Sequence, residues 1–480
     1  PRRIELAEYA DVFLQIKPGT NLALLNGLLH VIIKEGLTDE DFIANRTENF
    51  EEAKKALEKF TPEYVAEITG ADAEDIKKAA RLYAQAEKAS ILYTMGITQH
   101  TSGTKNVMAI ANLAMATGNL GKESTGVNPL RGQNNVQGAC DMGALPPVIC
   151  AYQPVADSAV LDKFSKAWNA QLSSTPGLTV TEMFDAAEHG KVKAMYIMGE
   201  NPLISDADIN HVIKSLENLD FLVVQDMFLT ETARYADVVL PACSFAEKDG
   251  TFTNTERRVQ KVNKAIEPIG ESKTDWEIIT GIANKVGFDW NYSSAEEIFN
   301  EIITVTPSYA GLTYERLEKE GIQWPCPTQD HPGTKFLHEG KFTRGLGKFH
   351  ALDYEPPAEE CCSEYPFTLT TGRNLYHYHT STMTGRSKGL MEFAPEDRLR
   401  INPEDAEKLG VSDGDKVKIS SRRGEIEAKV LVTDTVAKGV VFMTFHFSDT
   451  PVNILTHCAI DPVAKIPELK VAAVNVEKAS

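Results

Sequence analysis

Three stretches share one grammar: a short unbroken apolar run, a polar turn, then residues at helical spacing. They are ASILYTMG at 89–96 followed by TKNVMAIANLAMATGNLG at 104–121, VKAMYIMGENP at 192–202, and LDFLVVQDMFLTETARYADVVLPA at 219–242. A strand that is apolar at every position, not every second one, has both faces buried, and helices on either side of a parallel sheet do that. The expected class is therefore α/β, with doubly wound parallel sheets. In such sheets ligands collect at the carboxyl ends of the strands, here Met95, Gly96, Glu200, Asn201, Gln225, Asp226 and Pro241.

Punctuation fills in the rest. Residues 21–33 have helical apolar spacing, Thr61-Pro62 reads as an N-cap and first turn, and 75–86 as a further amphipathic helix. EPPAEECCSEYP at 355–366 reads as a linker, after which the grammar changes. DKVKISSRRGEIEAKVLVTD alternates about Arg423-Gly424 like a hairpin, GVVFMTFHF is another strand, and NPEDAEKLG a short capped helix. A small β-barrel of roughly a hundred residues is expected there, a normal domain size. The chain opens PRRIELAEYADVFLQIKPGTN, which reads as the middle of a strand-turn-helix unit, so a portion of a longer protein is expected.

Charge and composition narrow the function. A formal charge of -19 argues against a nucleic-acid partner, which needs a basic face. The longest apolar run, 22–33, is too short to span a bilayer, so no direct membrane insertion is expected. The seven cysteines (Cys140, Cys150, Cys243, Cys326, Cys361, Cys362 and Cys458) form no C-x-x-C pair, which points to reduced thiols and a cytoplasmic location rather than a zinc or iron–sulfur site in this chain.

RGQNNVQGACDMG at 131–143 does not suit any of these elements. It is too polar for a core strand and too glycine-rich for a stable helix, so a polar loop is expected. A guanidinium among neutral amides can grip a small anion with parallel hydrogen bonds, while the amides neither gain nor lose a proton near neutral pH. Taken alone, Arg131 is better read as the partner of a core carboxylate. Cys140 reads as a buried thiol.

RGQNNVQGACDMG, MGENP, VVQDMFLTETARYADVVLPA, EKDGTFTNTERRVQ, TTGRNLYHYHTSTMTGRS and INPEDAEKLGVSDGDKVKISSRRGEI occur in this order. Together they resemble the molybdopterin-guanine-dinucleotide oxidoreductases, within them the formate dehydrogenase catalytic subunits of the hydrogenase-linked type. The resemblance implies formate oxidation, or carbon dioxide reduction, at a bis-molybdopterin guanine dinucleotide centre of molybdenum or tungsten. It implies a [4Fe-4S] cluster and a cysteine or selenocysteine metal ligand upstream, so no metal ligand here, and electron-transfer partners of iron–sulfur, hydrogenase or diaphorase type. Residues 1–133 and 134–345 would complete two dinucleotide-binding domains, and 346–480 a double-psi-type barrel capping the cofactors. A nitrate reductase of the same family and a non-catalytic subunit of a respiratory complex are the alternatives.

Carried over residue by residue, the resemblance puts Arg131 at the substrate and Gln133 near the metal. It gives Asp226 and Asp275 as guanine-binding carboxylates and Lys248 as a phosphate contact, against bland readings as a strand-end turn, an N-cap and a solvated lysine. Asn201 and Gln225 belong to the same strand ends, and Met95 and Gln99 would face a pterin. Thr371, Gly372 and Arg373 would approach a pyrophosphate. His377 and His379 point opposite ways if their segment is extended, so at most one faces the cofactor. Phe445, Asn453 and Lys470 complete the set, Asn453 as a buried polar residue needing a partner.

Overall fold

The computed structural model describes residues 1–479, which separate into two compact units. The first holds residues 1–129, 202–212 and everything from 336 onward; the second holds 130–201 and 213–335.

In the first unit four helices, Asn21–Lys34, Pro62–Thr69, Ala73–Gln85 and Gly103–Ala116, contribute to a core around Leu29, Ile32, Phe60, Val65, Ile76 and Phe349. Removing side chains of this size from water stabilises by roughly 1.5–3 kcal/mol each. Thr61 Oγ1 accepts from Tyr64 N at 3.3 Å, Pro62 fills the first turn, and Gly70 ends that helix at φ 79°. The next helix starts two residues before its apolar spacing suggests, because Asp72 caps it by accepting from Glu74 N and Asp75 N. Strand Ser90–Tyr93 pairs in parallel with Gly126–Pro129 and runs into a single helical turn, Met95–Thr98.

Beyond residue 366 six strands close into the barrel the change of grammar implied. The order is Phe367–Gly372, Val440–Thr444, Arg398–Ile401, Glu425–Val432, Lys416–Ser420 and Ala472–Lys478. Two of the pairings are parallel and the rest antiparallel. Leu369, Leu399, Ile401, Val417, Ile419, Val430 and Val441 fill the interior. Thr104 N and Oγ1 donate to Asp461, and Thr101 N and Oγ1 to Glu468, tying barrel loops to the helical layer. The opening residues are not a strand-turn-helix unit: Arg2 makes one antiparallel bridge to Val436 of the barrel, and a 3-10 turn, Glu5–Tyr9, follows.

The second unit carries a parallel sheet of Ala194–Met198, Phe221–Asp226 and Val238–Pro241, in that order. Its cover is incomplete, since Tyr196, Met198, Val238 and Val239 are 37–51% exposed. A hairpin, Gly250–Thr253 with Arg258–Val262, packs with Tyr309, Leu312 and Leu317 over a separate core. The amide-rich stretch is not all loop. Val136–Asp141 forms a short helix despite its glycine, because Gly138 lies where a Cβ would come 2.1 Å from Asn135 Oδ1. Close packing has overridden propensity there.

Candidate functional site

Arg131 lies just before that short helix, on the wall of a cavity of about 550 Å³. The wall is built from Arg131 to Asn135 on one side and the hairpin residues Phe252 to Glu256, with Gln260, on the other. Asn135, at φ 61°, accepts from Thr253 N at 2.9 Å and joins the two sides. Arg131 N donates to Thr255 Oγ1 at 3.1 Å, and Nη1 reaches Cys140 Sγ at 3.3 Å. Its Nε is buried without a partner, and Arg131 makes no ion pair among the described residues. The one carboxylate on the wall, Glu256, is paired with Arg258 at 3.2 Å, which lowers its pKa. A cationic wall with its lone acid neutralised suits a small anion. Gln133 and Asn134 lie on the same wall, and Cys140 is buried, as the sequence implied.

At the strand ends of the second unit the predicted residues hold one another. Gln225 is fully buried; its Nε2 donates to Asp275 Oδ1 at 2.7 Å and its Oε1 accepts from Tyr196 OH. Lys248 pairs with the other Asp275 oxygen. Lys248 is thus neither solvated nor waiting alone for a phosphate. Asp275 is not the N-cap of its helix either: Thr274 is, in a capping box with Glu277, and Asp275 is the first helical residue. Asp226 Oδ1 accepts from Phe228 N at 3.1 Å, a strand-end turn. Asn201 is buried and binds Thr232 N, Thr232 Oγ1 and Glu231, fixing the turn after its strand.

In the first unit the barrel gathers a cationic, aromatic group. Lys470 Nζ donates to the Thr371 carbonyl at 2.8 Å, and Thr371 Oγ1 donates to the Leu469 carbonyl at 2.6 Å. A Cβ on Gly372 would come 2.6 Å from the Phe442 ring, so only glycine lets that strand end lie against it. The Arg373 guanidinium stands 5.4 Å from the Phe445 ring centroid, and the His379 ring meets the same phenyl edge-on at 5.3 Å. Neither Arg373 nor Lys470 forms an ion pair among the described residues. Desolvation, then Arg373 and Arg2, lowers Lys470 to about 7. His379 is lowered to about 4 by burial, then by Arg373 and His446.

The segment carrying the two histidines is not extended, since His379 sits at φ 47°, so the alternation argument does not apply. His377 is separated from His379 by its bonding: its ring nitrogens engage Thr384 Oγ1 and the Ala394 carbonyl. Met95 and Gln99 bracket the single helical turn, and His100, next to Gln99, lies within electrostatic reach of Lys470. Asn453 lies apart: buried, its Nδ2 donates to the carbonyls of Ile204 and Ser205, and its Oδ1 has no partner.

Two uncompensated cations beside a backbone stretch that only glycine permits are what an anionic ligand would satisfy, and the orphaned Asn453 oxygen, apart from them, would accept from a ligand donor. The residues present therefore fit a dinucleotide. Sequence reasoning missed Arg2, whose guanidinium lies 4.2 Å from the Phe442 ring centroid, and His446, whose Nδ1 donates to the His379 carbonyl while Nε2 accepts from Asn374 N. No local motif marks either one. It also missed Asp141 beneath the Arg131 wall, where the spacing Gln137 to Asp141 becomes a signal once the segment is known to be helical.

Comparison with known proteins agrees with this reading. The family model described as molybdopterin oxidoreductase matches residues 1–285, and the one described as molydopterin dinucleotide binding domain matches residues 367–473. The F420-dependent formate dehydrogenase subunit alpha of Methanocaldococcus jannaschii is 56% identical, the match covering all of this chain and 71% of that protein. Formate dehydrogenase H of Escherichia coli is 45% identical over 99% of this chain and 68% of its own length. Among solved structures, acetylene hydratase from Pelobacter acetylenicus superposes with a TM-score of 0.75 over the whole chain and 73% of its own, at 22% identity, a likeness of fold.

Proposed function

The chain belongs to the molybdopterin oxidoreductase family, and on that footing we propose that it is the formate-oxidising subunit of a formate dehydrogenase. It would work at a bis-molybdopterin guanine dinucleotide centre of molybdenum or tungsten, with a [4Fe-4S] cluster carried outside these residues. When bound, that centre supplies the two-electron acceptor that no side chain provides.

The chain's own residues do the rest. Arg131 holds the formate carboxylate through paired N–H donors, its charge unquenched by any acid on the wall. Gln133 and the neighbouring amides orient the anion without competing for its proton. Lys470, Arg373 and His379, with Thr371 and Gly372, would hold phosphate and pterin edges on the barrel, and Phe445 gives Arg373 its face. Asn453 offers its free Oδ1 to a ligand donor. Met95 and Gln99 would contact a pterin, and Asn201, Gln225, Asp226, Lys248 and Asp275 would form the second nucleotide platform. In that platform Gln225 and Lys248 hold Asp275 in one rotamer. Residues 1–133 and 134–345 would serve the two dinucleotides and 346–480 would cap them.

All seven cysteines are free thiols, and no described helix is long and apolar enough to cross a membrane. The free thiols support a cytoplasmic location, and membership of the family supports electron transfer to iron–sulfur, hydrogenase or diaphorase subunits.

The observation that carries the reading is Arg131, a guanidinium with no ion pair among the described residues, on the wall of a polar cavity. Arg131→Lys in the full-length holoenzyme should lower kcat/KM for formate about 10–100-fold, the value of one or two charge-assisted hydrogen bonds. Unchanged turnover at low formate removes Arg131 from the site. Preferential nitrate reduction by the wild type would replace formate as the substrate.

A further inference from the structure

Behind the Arg131 wall lies a carboxylate that the proposed reaction does not use. Asp141 ends the helix Val136–Asp141 and is completely buried. Among the described residues no cation forms an ion pair with it, although Arg257 lies within electrostatic reach. Its Oδ1 accepts from Gln137 Nε2 at 2.7 Å and Tyr152 OH at 2.8 Å, and its Oδ2 from Tyr309 OH at 2.6 Å and Trp324 Nε1 at 2.7 Å. An indole N–H can only donate, so the cage is built for an acceptor. A buried carboxylate satisfied wholly by neutral donors is costly in water-free surroundings, and chains keep such groups where geometry matters.

The cage is also held against backbone preference. Ala151 and Tyr152 are consecutive non-glycine residues in the left-handed region, at φ 57° and 58°, and this turn delivers the Tyr152 hydroxyl to Asp141. Such conformations persist only where the surroundings hold them. The donors come from separate segments: Tyr309 follows the helix Ala295–Val305, and Trp324 follows the strand Ile322–Gln323. Asp141 thus ties the short helix to the body of its unit, and the residue before it, Cys140, is the one Arg131 Nη1 rests on.

We propose that Asp141 is the positioning residue of the anion pocket: its caged carboxylate fixes the short helix, and through Cys140 it sets the direction of the Arg131 guanidinium. This rests on the reading of Arg131 as the formate-binding group. Asp141 never touches substrate. It reduces the freedom Arg131 would otherwise lose on binding, so its loss should fall on KM more than on kcat.

The test uses the full-length holoenzyme. Asp141→Asn keeps the shape of the side chain, and its amide nitrogen is tolerated only on the Gln137 and Tyr152 side, where Gln137 can flip and the hydroxyl can rotate. Asp141→Asn should raise KM for formate about tenfold, with kcat within about threefold. Tyr309→Phe, which removes one donor and leaves the packing, should move KM the same way by less, and it stands in if the Asn variant folds poorly. Independently of turnover, phenylglyoxal modification of the Arg131 peptide, followed by mass spectrometry, should be faster in both variants than in the wild type. Unchanged KM and unchanged Arg131 modification in folded Asp141→Asn protein overturn the proposal, as does a fall in kcat at constant KM. If Arg131→Lys itself leaves formate use intact, the formate reading has failed. If Arg131→Lys is damaging and Asp141→Asn is silent, only the positioning role has failed.

Discussion

Replacing Lys470 by methionine should make the cofactor-free chain more stable and worse at holding its dinucleotide. Among the described residues Lys470 has no acidic partner, and Nζ makes one hydrogen bond, to the Thr371 carbonyl. Burial and the neighbouring Arg373 and Arg2 bring it from 10.5 down to about 7. At about 1.4 kcal/mol per pH unit that fall bounds the penalty on the folded state at something on the order of 5 kcal/mol. Partial solvent access and the bond lost with Thr371 take back part of this, leaving an expected net gain of about 1–3 kcal/mol for Lys470→Met.

The sign with pH follows from proton counting. Below pH 7 both folded and unfolded wild type carry the charge, and the penalty is complete. Between pH 7 and about 10.5 the unfolded chain keeps a proton that the folded chain has released, so wild-type stability climbs with pH and the penalty fades. Thermal melts of both apoproteins from pH 6 to pH 10 should therefore show the variant melting higher at pH 6–7 and the two converging toward pH 10. With the anionic dinucleotide bound the order should reverse, read as lower cofactor content after purification. A variant that melts lower at pH 6, or a difference that ignores pH, would refute the picture of an uncompensated cation waiting for an anion.

Gly138→Ala should cost about 1–3 kcal/mol in denaturant titrations, the price of one buried hydrogen bond, because its Cβ displaces Asn135 Oδ1 from Thr253 N. It should raise KM for formate as well; an unchanged KM would detach that bridge from the pocket. Leu369→Ala, at a fully buried barrel position, should lose about 2–5 kcal/mol, checked by the denaturant midpoint of the barrel transition. Asp72→Ala should cost only about 1 kcal/mol, a lost helix cap, and a larger loss in melting experiments would mean Asp72 does more than cap.

Much of the candidate site was readable in the sequence. Arg131 stood out because a charged residue among amides and glycines has no packing purpose, and it does line a polar cavity. Lys470, Thr371, Arg373, His379 and Phe445 do gather on the barrel, and Gln225, Lys248 and Asp275 do meet at the strand ends. What those residues do with one another was not readable. Lys248 pairs with a carboxylate 27 positions away, and Thr274 takes the cap that Asp275 was a candidate for. The two histidines differ because one carries a left-handed backbone and the other has both ring nitrogens engaged.

Patterning along the chain was enough to specify the parallel strands, the barrel hairpin and most helix starts, because burial periodicity and caps act between neighbours in sequence. Tertiary structure alone decided whether the stretch 131–143 would be a loop or a helix. Intrinsic propensity disfavours helix there by at most a few kcal/mol. Contacts from Thr253, Tyr309 and Trp324, each more than a hundred residues away, hold Asn135 and Asp141 and outweigh it. The direction of Arg131 was likewise settled only in three dimensions, since a guanidinium on a flexible stem points wherever its surroundings leave it a contact, here the sulfur of Cys140.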